Sequence, residues 1–253
     1  QARNGHHEGV GGVDGATALL HGLDAQLHSH GFMARGGQAI DATLVAAPVQ
    51  HISNAERSEL ADGQQPAWSE ARRRQKDVDA THTKKHGKGY FGYKLSVSVD
   101  HKHGFIRGVA TGTASEHDGH HFEEVLDVNN TGKEVNADKA YPSAQRLAML
   151  KTLGFKEGIQ RKAQKNKPLS ACQQRRNHRI AKRRAKVEHV FAGIRHMGGK
   201  FLRTIGQARA SATMVLMAAC YNLKRLASFL ERGVDSFYKS KPSKTQVRVQ
   251  AAN

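Results

Sequence analysis

Three carboxylates stand out in this chain because of their neighbours. Asp41 interrupts an otherwise apolar run, Ala39-Ile40-Asp41-Ala42-Thr43-Leu44-Val45. Asp138 follows Val135-Asn136-Ala137, and Glu188 sits in the most basic stretch, Arg183-Arg184-Ala185-Lys186-Val187-Glu188-His189-Val190-Phe191. Carboxylates brought together repel one another, so a cluster of three is stable only with cations between them. Oxygen-only ligation suits Mg²⁺ or Mn²⁺. Two such ions about 4 Å apart clamp the attacking and leaving oxygens of an in-line phosphoryl transfer. Taken singly, each residue has a plainer role. Asp41 suits a strand edge or cap, Asp138 suits the turn to Tyr141-Pro142, and Glu188 suits an ion pair with its basic neighbours.

The elements that must position these residues can be read from periodicity. Residues 16–28 have helical apolar spacing, and residues 39–47 form a short buried strand stopped by Pro48. Residues 51–89 read as a long polar surface excursion. Residues 93–99 alternate as a strand and pair with 105–111 through a turn at His103-Gly104. Asp118 is placed to cap a helix over about 119–128. A strand over 133–137 ends at Asp138, the carboxyl edge where α/β sheets place ligands. Ser143 caps a helix closed by Gly154, and 155–160 form another strand. A basic loop over 164–176 leads into a long helix over about 175–197. The last helix spans about 208–232, with Met214, Val215, Met217, Ala218, Tyr221, Leu223, Leu226 and Leu230 as its core contacts. This order predicts an α/β fold, a mixed sheet flanked by helices. On the long helix, positions 184, 188 and 195 share one face. Glu188 can then face a metal with Arg184 and Arg195 flanking it, and Val187, Val190 and Ile194 pack beside them.

Composition narrows the partner. The 253 residues carry 40 Lys and Arg against 22 Asp and Glu, a formal net charge of +18. The sequence pI is about 10.2 and the mean hydropathy −0.62. Such an excess calls for a polyanion, and nucleic acid is the first candidate. A membrane surface is a polyanion too, but no basic amphipathic helix has a clean apolar face to insert, and the most apolar run, residues 214–221, is far too short to span a bilayer, so no membrane partner is expected. Cys172 and Cys220 allow one disulfide, but free thiols in a reducing cytoplasm are the expectation. His101-Lys102-His103 and His120-His121 lack zinc-ligand spacing. Trp68, the sole tryptophan, is expected to pack against the domain rather than stack on a base.

Several segments together resemble the signature segments of DDE transposases. They are Ile40-Asp41-Ala42-Thr43, Asp77-Val78-Asp79-Ala80, Gly92-Tyr93-Lys94, Ala114-x-x-His117-Asp118, Ala137-Asp138-Lys139-Ala140-Tyr141, and Arg184 with Glu188 and Arg195. The similarity is greatest to bacterial insertion-sequence enzymes of the insertion-sequence-five group. Departures exist: Ala181 stands where the family usually has Tyr, Arg195 where it has Lys, and Ala140 where Gly is common. Arg keeps the positive charge, so phosphate contact survives. The resemblance implies an RNase H-like catalytic fold over 38–232, preceded by a truncated N-terminal region (1–37) and followed by a basic, disordered tail (233–253). It implies Asp41, Asp138 and Glu188 as the catalytic, metal-binding triad for two Mg²⁺ or Mn²⁺ ions. Lys139, Arg183, Arg184 and Arg195 are the implied DNA contacts. It further implies double-stranded DNA (element ends and target) as partner, a homodimer or larger assembly on DNA, and a nucleoid-associated, cytoplasmic location. A nuclease or resolvase of the same fold, or a non-enzymatic nucleic-acid-binding remnant, would share these features.

Overall fold

The computed structural model describes residues 12–85 and 87–232. The expected tail (233–253) and residues 1–11 of the N-terminal region lie outside those residues. Helix α1 (Val13–Ser29) buries Ala16, Leu20, Leu23 and Leu27, the i, i+4, i+7, i+11 stripe that its sequence spacing predicts. Strand β1 (Gln38–Ala46) follows, then two short helices, α2 (Asn54–Ala61) and α3 (Glu70–Arg73), and strand β2 (Thr81–Lys85). Thus the polar excursion carries structure of its own. Ser53 closes a capping box with Glu56, and Glu56 accepts a hydrogen bond from the indole of Trp68. Trp68 is buried there.

Strand β3 (Lys88–Asp100) is the spine of the sheet and β4 (Ile106–Thr113) its hairpin partner. A 3-10 turn (Asp118–His121) and one helical turn, α4 (Phe122–Val125), come next, then β5 (Glu134–Ala137), α5 (Ala144–Thr152) and β6 (Lys156–Ile159). Two long helices, α6 (Ala171–His196) and α7 (Gln207–Arg232), complete the described chain. The sheet runs β2-β3-β1-β5-β6, with β4 also on β3. β1, β3 and β4 are antiparallel, whereas β5 and β6 run parallel to β1. This six-stranded mixed sheet with helices on its faces is the RNase H-like arrangement.

β3 is long enough to serve two partners on one edge. Residues 88–92 pair with β2 and 93–99 with β4. Gly92, at the changeover, has φ +151°, and a Cβ there would stand 2.3 Å from the Val45 carbonyl oxygen. Only glycine fits that approach. One face of the sheet, through Ala39, Val45, Tyr93, Leu95, Val97 and Val99, packs on Val187, Val190 and Ile194 of α6 and Met214 and Ala218 of α7. The other, through Ile40, Ala110 and Val135, packs on α4 and α5. α1 lies against α7 in a smaller cluster with Phe105.

Three expectations need correction. The helix expected over 119–128 is only the 3-10 turn and α4, and His117, not Asp118, caps it by accepting from the Gly119 N–H. Asp118 is occupied elsewhere. α6 begins at Ala171, earlier than the basic loop suggested, because Ser170 and Gln173 form a capping box. On α7, Leu223 and Leu230 are 46 % and 58 % exposed rather than core.

Candidate active site

The site lies where β1 and β5 part. These parallel strands are registered as Gln38↔Val135 and Ala39↔Asn136, and continuing that register brings Asp41 level with Asp138. Period-2 alternation puts Asp41 on the same face as Ala39 and Val45, the face that α6 covers. Each aspartate accepts the N–H of the following residue, Asp41 from Ala42 and Asp138 from Lys139, which fixes its carboxylate against the backbone.

α6 delivers the third carboxylate. Val187 is fully buried against the sheet, so the adjoining positions 184 and 188 fall at its edge, over the strand ends. The guanidinium of Arg184 then reaches all three acids. Arg184 Nη1 is 2.7 Å from Asp41 and 4.0 Å from Asp138, and Nη2 is 3.6 Å from Glu188. Arg184, expected along the DNA backbone, is therefore turned inward, with its side chain only 15 % exposed. Burial pushes the Asp41 carboxyl up to about 6, with Asp138 adding to the rise while Arg184 and the Ala42 N–H oppose it. The cost of stripping water from Asp41 thus exceeds what a single guanidinium returns.

A second layer surrounds this centre. Tyr141, three residues after Asp138, is buried, and among the described residues its hydroxyl has no hydrogen-bond partner. Burial and then the negative charges of Asp41, Asp118 and Asp138 raise its pKa, so it remains a proton donor. Lys94, almost fully buried, pairs with Asp118 at 2.6 Å and donates to the Glu116 carbonyl oxygen. Tyr93 donates to Asp77 at 2.8 Å, and Asp77 also accepts the N–H groups of Asp79 and Ala80. Asp79 in turn accepts the first N–H of α7 from Gln207. The motif segments of the middle of the chain are thus bonded to one another. Sequence reasoning did not assign Lys94, Asp118 or Tyr141 to the site, although each lies in a quoted motif.

The cationic residues divide. Lys139 is exposed beside Asp138. Arg195 borders a cavity of about 330 Å³ next to β1, together with Lys85, Lys200, Thr43, Tyr90 and Phe191, and no acid lines it. Arg183 lies elsewhere, paired with Glu134 of β5.

Residues 33–223 match the family described as the transposase DDE domain. The chain belongs to the DDE transposase family. It is 31 % identical over 221 residues to the transposase for insertion sequence element IS1106 of Neisseria meningitidis serogroup B, which spans 86 % of this chain and 75 % of that protein. No solved structure matches it.

DDE transposases as a family use divalent metal ions. Among the described residues of this transposase, no three acidic, histidine or cysteine side chains are gathered closely enough to enclose one ion. The guanidinium of Arg184 lies between them instead. The donors still suit a hard divalent cation: all are carboxylate oxygens, and three negative charges face the one positive charge of Arg184. Cys172 and Cys220 are free and exposed, and no described helix is long and apolar enough to cross a membrane.

Proposed function

We propose that this transposase cleaves DNA strands at the ends of an insertion sequence and transfers the freed ends into target DNA in a metal-dependent reaction. The observation that carries the reading is the convergence of Asp41, Asp138 and Glu188 on one guanidinium. Asp41, Asp138 and Glu188 would hold two Mg²⁺ or Mn²⁺ ions. When bound, the ions supply positive charge to the attacking and leaving oxygens of the phosphodiester. The two aspartates are oriented for this by the N–H groups of Ala42 and Lys139. Arg184, released from the carboxylates, is placed to contact the phosphate that arrives there. Lys139, Lys85, Arg195 and Lys200 hold the backbone on either side, while Tyr141 offers a buried hydroxyl to the site. Arg183 contributes to DNA contact from the β5 side. Acting at two element ends calls for two such sites, hence a dimer or larger assembly on DNA in the cytoplasmic nucleoid.

The test pairs Mg²⁺-dependent cleavage with DNA affinity in wild type and Glu188→Gln. Cleavage is expected to fall by orders of magnitude while affinity persists or rises, because one negative charge leaves a site that faces phosphates. Equal cleavage by both proteins would reduce Glu188 to an ion-pair partner and remove the mechanism. A strand-transfer assay on paired ends separates this reading from a simple nuclease.

A further inference from the structure

α6 borders two cavities that no carboxylate lines. One is the cleft of Arg195 beside the triad; the other, about 290 Å³, lies between α6, α7 and the β3–β4 turn. Its walls are Lys102 and Gly104 of the turn, Lys186, His189 and Val190 of α6, and Tyr221 and Arg225 of α7. On a helix, position 186 lies about 160° around the axis from position 188. This second cavity therefore faces away from the three carboxylates, with the thickness of α6 between.

The cavity is built by bonds to the turn. Lys186 donates to the His101 carbonyl oxygen, Arg225 to that of His103, and Tyr221 to that of Gly104 at 3.3 Å. Gly104 has φ +69°, and a Cβ there would stand 3.0 Å from the Arg225 guanidinium, so the glycine leaves that group its place. Among the described residues no carboxylate stands within 4.0 Å of Lys186, and one of its three ammonium protons goes to the turn. Lys102, Lys186 and Arg225 bring three cations to one small cavity with no carboxylate in its walls, and an oxyanion there is attracted to all three. Burial lowers the Lys186 pKa; the Asp100 carboxylate opposes this, and Arg225 and Arg183 add to the lowering.

We propose that this cavity is a second phosphate site, holding the backbone of a DNA segment other than the one at the carboxylates. The assignment rests on the chain acting on DNA as a transposase. A phosphodiester fits the donor set: lysine and arginine for the charged oxygens, with Tyr221 and Val190 as a partly apolar wall for the sugar. The helix between the two cavities is about 10–12 Å across with its side chains, which is too far for a single phosphate to serve both.

The experiment uses the full chain and short mixed-sequence duplexes, one immobilised and one labelled, to measure capture of a second duplex by protein already holding the first. Lys102→Glu/His189→Glu changes only exposed side chains. It is expected to lower second-duplex capture about tenfold and to flatten its salt dependence by about two charges, with thermal unfolding and oligomeric state unchanged. Lys186→Gln, which keeps a donor for the turn, is expected to give an intermediate loss. Lys85→Glu/Lys200→Glu, in the cleft beside the triad, is expected to weaken the first duplex instead. Capture within twofold of wild type by both far-side variants overturns the proposal. So does an inorganic phosphate titration that shifts His189 resonances while duplex capture stays intact in the variants, since the site would then bind free phosphate only. A wild type that binds no duplex at any salt overturns the transposase reading along with it.

Discussion

Arg184 Nη1 lies 2.7 Å from Asp41 Oδ2, across the gap between α6 and β1, with both side chains largely buried. A guanidinium holding a buried carboxylate is hard to remove without loss, because the acid is left charged and unpaired. Arg184→Gln should therefore destabilise the metal-free protein at neutral pH by about 2 kcal/mol, and by less below pH 5, where Asp41 takes up a proton. Added Mg²⁺ should restore more stability to the variant than to wild type. Urea unfolding in EDTA and in Mg²⁺ measures both effects; identical midpoints in the two proteins would show that Arg184 does not neutralise the acids.

The raised carboxyl of Asp41 has a sign that can be checked. Its pKa in the folded protein, about 6, lies above the ordinary value of 3.8. The unfolded chain therefore gives up this proton first as pH rises, and the stability the group contributes below pH 4 is lost between about pH 4 and 6. Asp41→Asn cannot ionise. Without metal it should match wild type near pH 4 and exceed it by up to about 3 kcal/mol above pH 7, while abolishing cleavage. Parallel pH profiles for the two proteins in EDTA would refute the burial argument.

Lys94 and Asp118 should prove coupled. Their 2.6 Å pair brings a nearly buried ammonium to a carboxylate that is 32 % exposed. A double-mutant cycle of Lys94→Met and Asp118→Asn is expected to return a coupling of about 1–2 kcal/mol. A value near zero would mean that the Glu116 carbonyl alone holds the lysine.

Gly92→Ala tests the close packing of β1 on β3. Its Cβ would meet the Val45 carbonyl oxygen at 2.3 Å and the Ala47 nitrogen at 2.7 Å, both backbone atoms that cannot rotate aside. A loss of roughly 3 kcal/mol or more is expected in chemical denaturation, with reduced cleavage because β1 carries Asp41. A variant as stable as wild type would show that the strands can part there without penalty.

Much of this was legible in the sequence, and for identifiable reasons. The strands of 93–99 and 105–111 were readable because β-branched and aromatic residues alternate about a glycine turn, and α6 because Val187, Val190 and Ile194 recur at helical spacing. The three acids drew notice because carboxylates are out of place in those contexts. What stayed hidden depended on contacts between distant segments. Nothing local distinguishes Asp118 as a partner for Lys94 from Asp118 as a helix cap, since both roles need one carboxylate near a turn. The inward aim of Arg184 was hidden for the same reason, because spacing gives the face of a helix but not which neighbour the side chain chooses. Leu223 and Leu230 were misassigned because apolar type was read as burial on a helix whose outer face also carries leucine.

The docking of α6 onto the sheet has a consequence for how the protein is made. Synthesis runs from Asp41 through Asp138 to Glu188, and the last two are separated by α5, β6 and about two thirds of α6. A nascent chain carries both aspartates well before the glutamate leaves the ribosome. Until Val187, Val190 and Ile194 settle on β1 and β3, the third acid has no fixed place beside the other two. Translation that halts before Ala171 thus releases a fragment in which Asp41 and Asp138 never meet Arg184 or Glu188.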